Sequence, residues 1–409
     1  MADRKSGGGE TGPRPDRLVS LDAYRGFIML VMASSSLAIP SVAKTHFQGQ
    51  PAWQFLAFHT EHVDWIGCSF WDLIQPSFMF MVGVALAFSR ANRISKGETN
   101  RAILLHSLWR SLILILLAVF LSSTSSKETN WIFPNVLAQI GLGYTFLALL
   151  AMVSPAKQLV ALLLILAGTT AAFGLFPAPG PEFDWKAHGV SADWHHLEGW
   201  FSHWNKNSNI AAAFDRWFLN LFPRPSPFLF NDGGYATLNF IPSLATMLMG
   251  LMAGQFLRQP GSRVKQFLFL VVAGFACLGI GLFMGNTVCP IVKRIWTPSW
   301  AVYSTGWTFL MLAFFFGVIE CIGWKNWAFP FVVVGMNSIA IYCMSQLSRG
   351  FVRNSLNIHL GKPVAWLVEC LKAPELITVY GPIFQNAAIL LVFWLVCFWL
   401  YRRQIFLKI

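Results

Sequence analysis

The chain has 409 residues, 55% of them hydrophobic, 15% aromatic and only 12% charged, with a formal net charge of +12. Long apolar runs recur along its whole length, which excludes a soluble globular protein and points to an all-α polytopic membrane protein. The basic excess therefore reads as topogenic Lys and Arg flanking membrane spans, with a secondary use in drawing an anionic substrate to the cytoplasmic mouth, and not as a nucleic-acid surface.

Residues 1–16 are polar, charged and rich in Gly and Pro, and read as a disordered cytoplasmic tail ahead of a transmembrane domain over 17–409. The apolar run after Arg25 lacks a small-residue cleavage site and reads as an uncleaved first span. Hydropathy places about ten spans, near 25–42, 70–89, 103–124, 135–153, 156–176, 236–257, 266–288, 300–322, 329–347 and 383–401. Arg90, Arg93, Lys96, Arg101, Lys157, Arg258, Arg263, Lys265, Lys325, Arg402, Arg403 and Lys408 all fall on one side of these spans. Only Lys44, Lys127, Lys293 and Arg294 mark the short connections opposite. The positive-inside rule then puts both termini in the cytoplasm and leaves 43–69, 177–235 and 348–382 as external loops. The seven Cys are scattered and suggest neither a disulfide framework nor a metal site. No Asn lies in a glycosylation sequon, which favours a bacterial cytoplasmic membrane.

The polar anomaly of the chain is the stretch from Glu61 to Pro76, where titratable and aromatic residues run into an apolar helix. His62 titrates near neutrality, so it can take a proton from an attacking amine or hydroxyl, or be acylated itself. Asp64 or Asp72 could orient it, and an interfacial His in a loop is the plainer alternative. Pro76 cannot donate to the Asp72 carbonyl, leaving a free acceptor beside that carboxylate; a buried Asp bracing a neighbouring helix explains it equally well. Asn337 and Ser338, inside the ninth span, either bridge helices or contact a ligand. Lys293, Arg294, Trp296 and Trp300 put two cations and two indoles at the outer end of the eighth span, where an aromatic belt with anchors is the alternative. His188, His195, His196 and His203 match no tetrahedral zinc pattern, and no metal is expected.

Taken together, these residues resemble the heparan-α-glucosaminide N-acetyltransferase family, in a shorter, prokaryotic type. Arg17-Leu18-Val19-Ser20-Leu21-Asp22-Ala23-Tyr24-Arg25-Gly26 is similar to its R-L-x-S-[LV]-D-x-x-R-G, and His62, Trp65, Asp72-Leu73, Pro76 and Gly83 to its H-x-x-W…D-L-x-x-P…G. Pro134-Asn135-Val136-Leu137 with Gly141 and Tyr144 resembles P-G-V-L-Q-R-L-G-x-x-Y; Phe214-Asp215-Arg216 resembles I-D-R. Lys293, Trp296-Thr297 and Ser299 resemble K-x-x-W-[TS]-x-S, and Gly335-Met336-Asn337-Ser338 resembles G-M-N-S. The resemblance implies transfer of acetyl from cytosolic acetyl-CoA across the membrane to the amino group of a terminal glucosamine, with His62 as the catalytic histidine. Asp72 would support it. Trp65, Ser36, Asp215, Arg216, Lys293, Trp296, Asn337 and Ser338 would bind substrates, and Asn337 or Lys293 could stabilise the oxyanion. The family's Leu-Gln-Arg is Leu137-Ala138-Gln139 here, its Asp-Pro-Glu-Gly is Asn231-Asp232-Gly233-Gly234, and an Asn near the outer end of the first span is Ser36. Expected partners are acetyl-CoA, a glucosamine-containing saccharide or other glycan, membrane lipid and a second copy of the chain. Two rivals share the residues: an O-acyltransferase on a cell-envelope polysaccharide, and a transporter or flippase using Asp72 and Asn337.

Overall fold

The computed structural model describes residues 18–407. The expected tail over 1–16, Arg17 of the opening motif and Lys408 lie outside the described residues. In chain order the helices are α1 (Val19–Ala33), α2 (Ile39–His46), α3 (Pro51–His59), α4 (Ile74–Ser95), α5 (Asn100–Ser123), α6 (Val136–Leu150), α7 (Pro155–Leu175) and α8 (Ile210–Phe218). They continue with α9 (Phe240–Leu257), α10 (Arg263–Thr287), α11 (Pro298–Phe316), α12 (Phe329–Gly335), α13 (Ser338–Leu347), α14 (Arg349–Cys370), α15 (Glu375–Thr378) and α16 (Gly381–Arg402). Among the described residues there is no strand, only one isolated antiparallel bridge between Ile66 and Val292.

Among the described residues, seven helical segments are long and apolar enough to cross a bilayer. Two bent pairs, α1 with the segment to His46 (43°) and α12 with α13 (65°), would raise the count to nine. The chain is thus an all-α, multi-pass integral membrane protein. The expected fourth span, α6, has 15 residues. At 1.5 Å per residue that is about 22 Å, short of a hydrocarbon core of about 30 Å.

Three helices form the centre. The spans of α4, α9 and α11 are 67%, 72% and 61% buried, whereas those of α7, α10 and α16 are 22%, 17% and 22% buried and turn apolar faces outward. Helix α9 can lie against α4 because small residues meet at the crossing. A Cβ on Gly83 would stand 1.9 Å from the Met247 carbonyl oxygen, and one on Gly250 2.0 Å from that of Phe80. Backbone cannot yield as a side chain can, so Gly250→Leu is expected to cost ~1–3 kcal/mol or more from overpacking. Gly168→Ala, where an added Cβ meets nothing within 4 Å, should be close to neutral. Melting temperatures of the two variants in one detergent check this, and equal values would remove the crossing as the explanation.

Three expectations change. The first span starts at Val19, not near 25, because Asp22 and Arg25 pair one turn apart (3.5 Å) and so are tolerated inside the helix. It then breaks: Ser35, Ser36, Leu37 and Ala38 all have positive φ (49°, 52°, 50° and 57°), a left-handed turn that is costly for residues with a Cβ. The segment 348–382, expected as an external loop, is mostly helix α14. Arg349 anchors its start, donating to the Ala33 carbonyl at the end of α1 and to the Asn386 side chain (3.0 Å).

Candidate active site

Local sequence builds the carboxylate first. Ser69 and Asp72 form a reciprocal capping box at the entrance to α4. The Asp72 N–H donates to Ser69 Oγ (3.3 Å) and the Ser69 N–H to Asp72 Oδ2 (3.1 Å). The Val63 N–H also donates to Oδ2 (3.2 Å). The Ser69 hydroxyl lies 2.6 Å from the Glu61 carbonyl and 3.0 Å from Oδ2, tying the 61–69 loop to the helix entrance. The other oxygen, Oδ1, is left for chemistry. It lies 2.7 Å from His62 Nδ1 and 3.2 Å from Lys293 Nζ. Asp72 is fully buried.

Lys293 arrives from 231 residues away from His62, on the connection between α10 and α11. The Ile66–Val292 bridge and the Gly67 N–H to Ile291 carbonyl bond (3.0 Å) clip the two loops together. Thr297 shapes the second loop: its hydroxyl accepts from the Val292 N–H (3.1 Å), donates to the Pro290 carbonyl (2.8 Å) and accepts from the Trp300 N–H (3.3 Å) to cap α11. Ser299 donates to the same Pro290 carbonyl (2.8 Å). Lys293 Nζ ends 2.9 Å from His62 Nδ1 and 3.2 Å from Asp72 Oδ1.

This geometry selects a tautomer. With Asp72 an acceptor and Lys293 a donor, the 2.7 Å contact requires His62 to carry its proton on Nδ1 and give it to Oδ1. The ammonium then serves the carboxylate and merely flanks the ring. Nε2 keeps a free lone pair, makes no hydrogen bond among the described residues, and belongs to a side chain that is 39% exposed. Burial lowers the His62 pKa below its ordinary 6.5; the Asp72 hydrogen bond opposes this, and the Lys293 and Arg294 charges add to it. Burial also pushes the Lys293 ammonium down to about 8, against the pull of Asp72. The imidazole is therefore neutral and basic near pH 7 while Lys293 remains charged.

Around this trio the outer loops form a scaffold. Arg294 donates to the carbonyls of Gly233 (3.0 Å) and Val63 (3.3 Å) and lies over the Tyr235 ring. Trp65 is buried, donates to the Trp204 carbonyl (3.0 Å) and packs edge-on against Trp194, so its role in the structure is to hold the cap. Asp215 is buried and accepts from the Thr237 N–H (2.9 Å) at the head of α9. Desolvation raises its pKa to about 6. Arg216 donates to the Asn207 carbonyl (3.2 Å) and Trp296, buried, to Thr246 (3.4 Å). Gln139, standing where the family has an arginine, donates to the carbonyls of Phe133 (2.9 Å) and Thr237 (3.2 Å).

Other expected site residues are not brought to His62. Asn337 is buried at the α12–α13 break, where its amide donates to the Ile405 carbonyl (3.1 Å) and accepts from the Leu407 N–H (3.0 Å). These two bonds tie it to the C-terminal segment, and no hydrogen bond joins it to His62 among the described residues. The Lys293 ammonium sits beside Nδ1 and Asp72 Oδ1. Ser338 opens α13, and Ser36 is half-buried in the left-handed turn after α1. Among the described residues no three His, Cys, Asp or Glu side chains converge as a metal site. Two residues of the cleft escaped the sequence. Ser69 was legible as the first residue of S-x-x-D before an apolar run. Tyr235 carried no signal; its hydroxyl makes no hydrogen bond among the described residues, and its phenol pKa is raised by burial.

No family model matches the chain. It is similar to heparan-alpha-glucosaminide N-acetyltransferase of Homo sapiens, 23% identical over 438 aligned positions that cover 97% of this chain and 60% of that protein. The Mus musculus protein of the same name is 22% identical over 436 positions, with 96% and 61% covered. The chain thus spans about 60% of the length of the curated relatives it matches. The similarity to these two heparan-alpha-glucosaminide N-acetyltransferases runs over nearly the whole of this chain.

Proposed function

We propose that this protein is a membrane acetyltransferase that moves acetyl from cytosolic acetyl-CoA to an amino group on an outer-side glycan, an amino sugar being the acceptor of choice. The observation that carries the proposal is the His62–Asp72–Lys293 trio, with its one free basic atom, Nε2, on a partly exposed side chain. Acetyl-CoA enters from the basic inner side and its thioester reaches the outer end of the bundle. The acceptor nitrogen attacks the thioester carbonyl carbon while Nε2 takes the amine proton. The C–S bond then breaks, the proton passes from Nε2 to the sulfur, and CoA leaves as its thiol. Asp72 holds the ring and stabilises the transient imidazolium, as a triad carboxylate does. A bacterial cytoplasmic membrane fits the charge distribution.

The test is acetylation of a glucosamine-bearing glycan by purified protein with acetyl-CoA, followed by mass spectrometry. The product should survive mild alkali as an amide does. An alkali-labile product would instead establish an O-acyltransferase, and flux of labelled sugar without acetylation would establish a transporter.

The pH dependence follows from the two shifted groups. As pH rises through the depressed His62 pKa the imidazole becomes basic, so the acid limb of kcat/KM should lie below pH 6.5. Above about 8 Lys293 loses its proton, Asp72 loses its counter-charge, and kcat/KM should fall. In Lys293→Met the alkaline limb should disappear; its persistence would assign that limb to another group.

A further inference from the structure

The proposed transfer leaves unused an arginine deep inside a span. Arg110 is ten residues into α5, about 15 Å along the helix from its first residue. Helix α5 begins where α4 ends, so Arg110 lies towards the opposite end of the bundle from His62. Its partners are neutral: Nη1 donates to the Tyr144 hydroxyl (2.9 Å) and the guanidinium lies 4.6 Å from that ring's centroid. Nε is buried without an acceptor. Among the described residues no carboxylate comes within ion-pair distance of it. The one acid of the α4–α5 connection, Glu98, is held by Arg93 at 2.8 Å.

The surroundings add further basic side chains. His106 lies four residues before Arg110 on the same face of α5, and its side chain is exposed. Arg90, on α4, reaches only Asn100 (3.4 Å) among the described residues, and its Nε is also buried without an acceptor. Helix α5 packs along α6 and barely touches α4 or α13, which leaves the Arg110–His106 edge open. Ionisable side chains within spans face partners or water-filled cavities. A guanidinium with free N–H groups and no carboxylate is the donor set for an anion, and its planar fork matches phosphate.

We propose that Arg110, with His106 one turn nearer the cytoplasm, binds a phosphate group that enters between α4 and α5 from the inner side. The group belongs either to the nucleotide end of the acyl donor or to an anionic lipid of the inner leaflet. The donor source rests on the acetyl-CoA reading above; the phosphate site does not. From this position an extended, uncharged pantetheine arm would run outward towards His62.

The experiment uses full-length protein in two nanodisc preparations. In phosphatidylcholine discs, affinities are measured for CoA and for pantetheine, which lacks phosphates. In discs containing phosphatidylglycerol, retention of that lipid is read by native mass spectrometry. If the donor is the source, Arg110→Gln should weaken CoA binding at least tenfold and leave pantetheine unchanged, with His106→Gln causing a smaller loss. If the lipid is the source, Arg110→Gln should lose phosphatidylglycerol and leave CoA unchanged. Tyr144→Phe, which keeps the guanidinium, should retain binding in either case. Unchanged CoA and lipid binding in Arg110→Gln would overturn the proposal, as would equal losses for CoA and pantetheine. If Arg110→Gln does not fold, Arg110→Lys is read by the same criteria, a several-fold loss being expected because the fork is gone while the charge stays. A wild-type protein that binds no CoA would refute the donor reading, and lipid retention would still decide the phosphate site.

Discussion

Replacing His62 with alanine is expected to lower kcat by about 10²–10⁴-fold, the range over which a positioned general base acts. The expectation rests on Nε2, the one basic atom of the trio left without a partner. Asp72 and Lys293 are committed to each other and to Nδ1, so neither can step in. The loss should fall on kcat more than on the KM for acetyl-CoA, because the imidazole acts in the transition state. Initial rates of N-acetyl product formation measure it, and added imidazole should restore part of the rate. Acid quenching of wild type with labelled acetyl-CoA separates two roles: label retained on His62 marks an acyl carrier, and its absence at steady state marks a base. Wild-type turnover in the alanine variant would remove His62 from the chemistry.

Asp72→Asn is the second large effect. It preserves shape and keeps one oxygen for the Ser69 and Val63 N–H groups. The side chain then turns its NH₂ towards His62, so Nδ1 becomes the acceptor and the ring proton moves to Nε2. A base with its lone pair on the wrong nitrogen cannot take a proton, and a loss of about 10³–10⁴-fold is expected by analogy with triad enzymes. Lys293 would also be left buried beside a neutral amide, and removing one partner of a buried pair costs about 3–5 kcal/mol. The double variant with Lys293→Met should therefore recover stability relative to Asp72→Asn without recovering activity, a coupling that a thermal-shift double-mutant cycle reads directly. Ser69→Ala, which removes only the cap hydroxyl, should cost about 1 kcal/mol and leave turnover within several-fold. Near-normal turnover in Asp72→Asn would reduce this carboxylate to its capping role.

Much of the scaffold was legible because hydropathy is local. The runs around α4, α5, α7, α9, α10, α11 and α16 announce themselves over windows of about twenty residues. What hydropathy misses is what depends on partners. Asp22 and Arg25 made the first span look too polar to start at Val19, until each supplied the other with a counter-charge. Helix α14 contains Gly350, Gly361 and Pro363 with little net apolarity, and its start is held by Arg349 reaching a carbonyl 316 residues away. The site divides the same way. The nearness of His62 and Asp72 could be read from ten residues of chain, and the capping box was written in Ser69. The countercharge could not, since Lys293 was expected as a substrate or oxyanion contact, with an interface anchor as the alternative, and the Ile66–Val292 bridge puts it on Asp72. Asn337 shows the converse: a buried amide in a span advertises a need for partners without saying that the chain's own Ile405 and Leu407 supply two of them.

The separation of Lys293 from His62 also sets a schedule for the newborn protein. Ribosomes add about 5–20 residues per second, so the 231 residues between them take roughly 10–50 s to synthesise. Through that interval α4 is already being offered to the membrane with a carboxylate at its entrance and no cation to meet it. The first half of the chain must wait, with Asp72 kept at the aqueous edge or sheltered by insertion machinery, until α10 has passed and the Lys293 loop can fold back. Arrest of translation before residue 293 should therefore trap a species that surveillance proteases recognise, and a Lys293 variant should be cleared by the same route even when every span has been made.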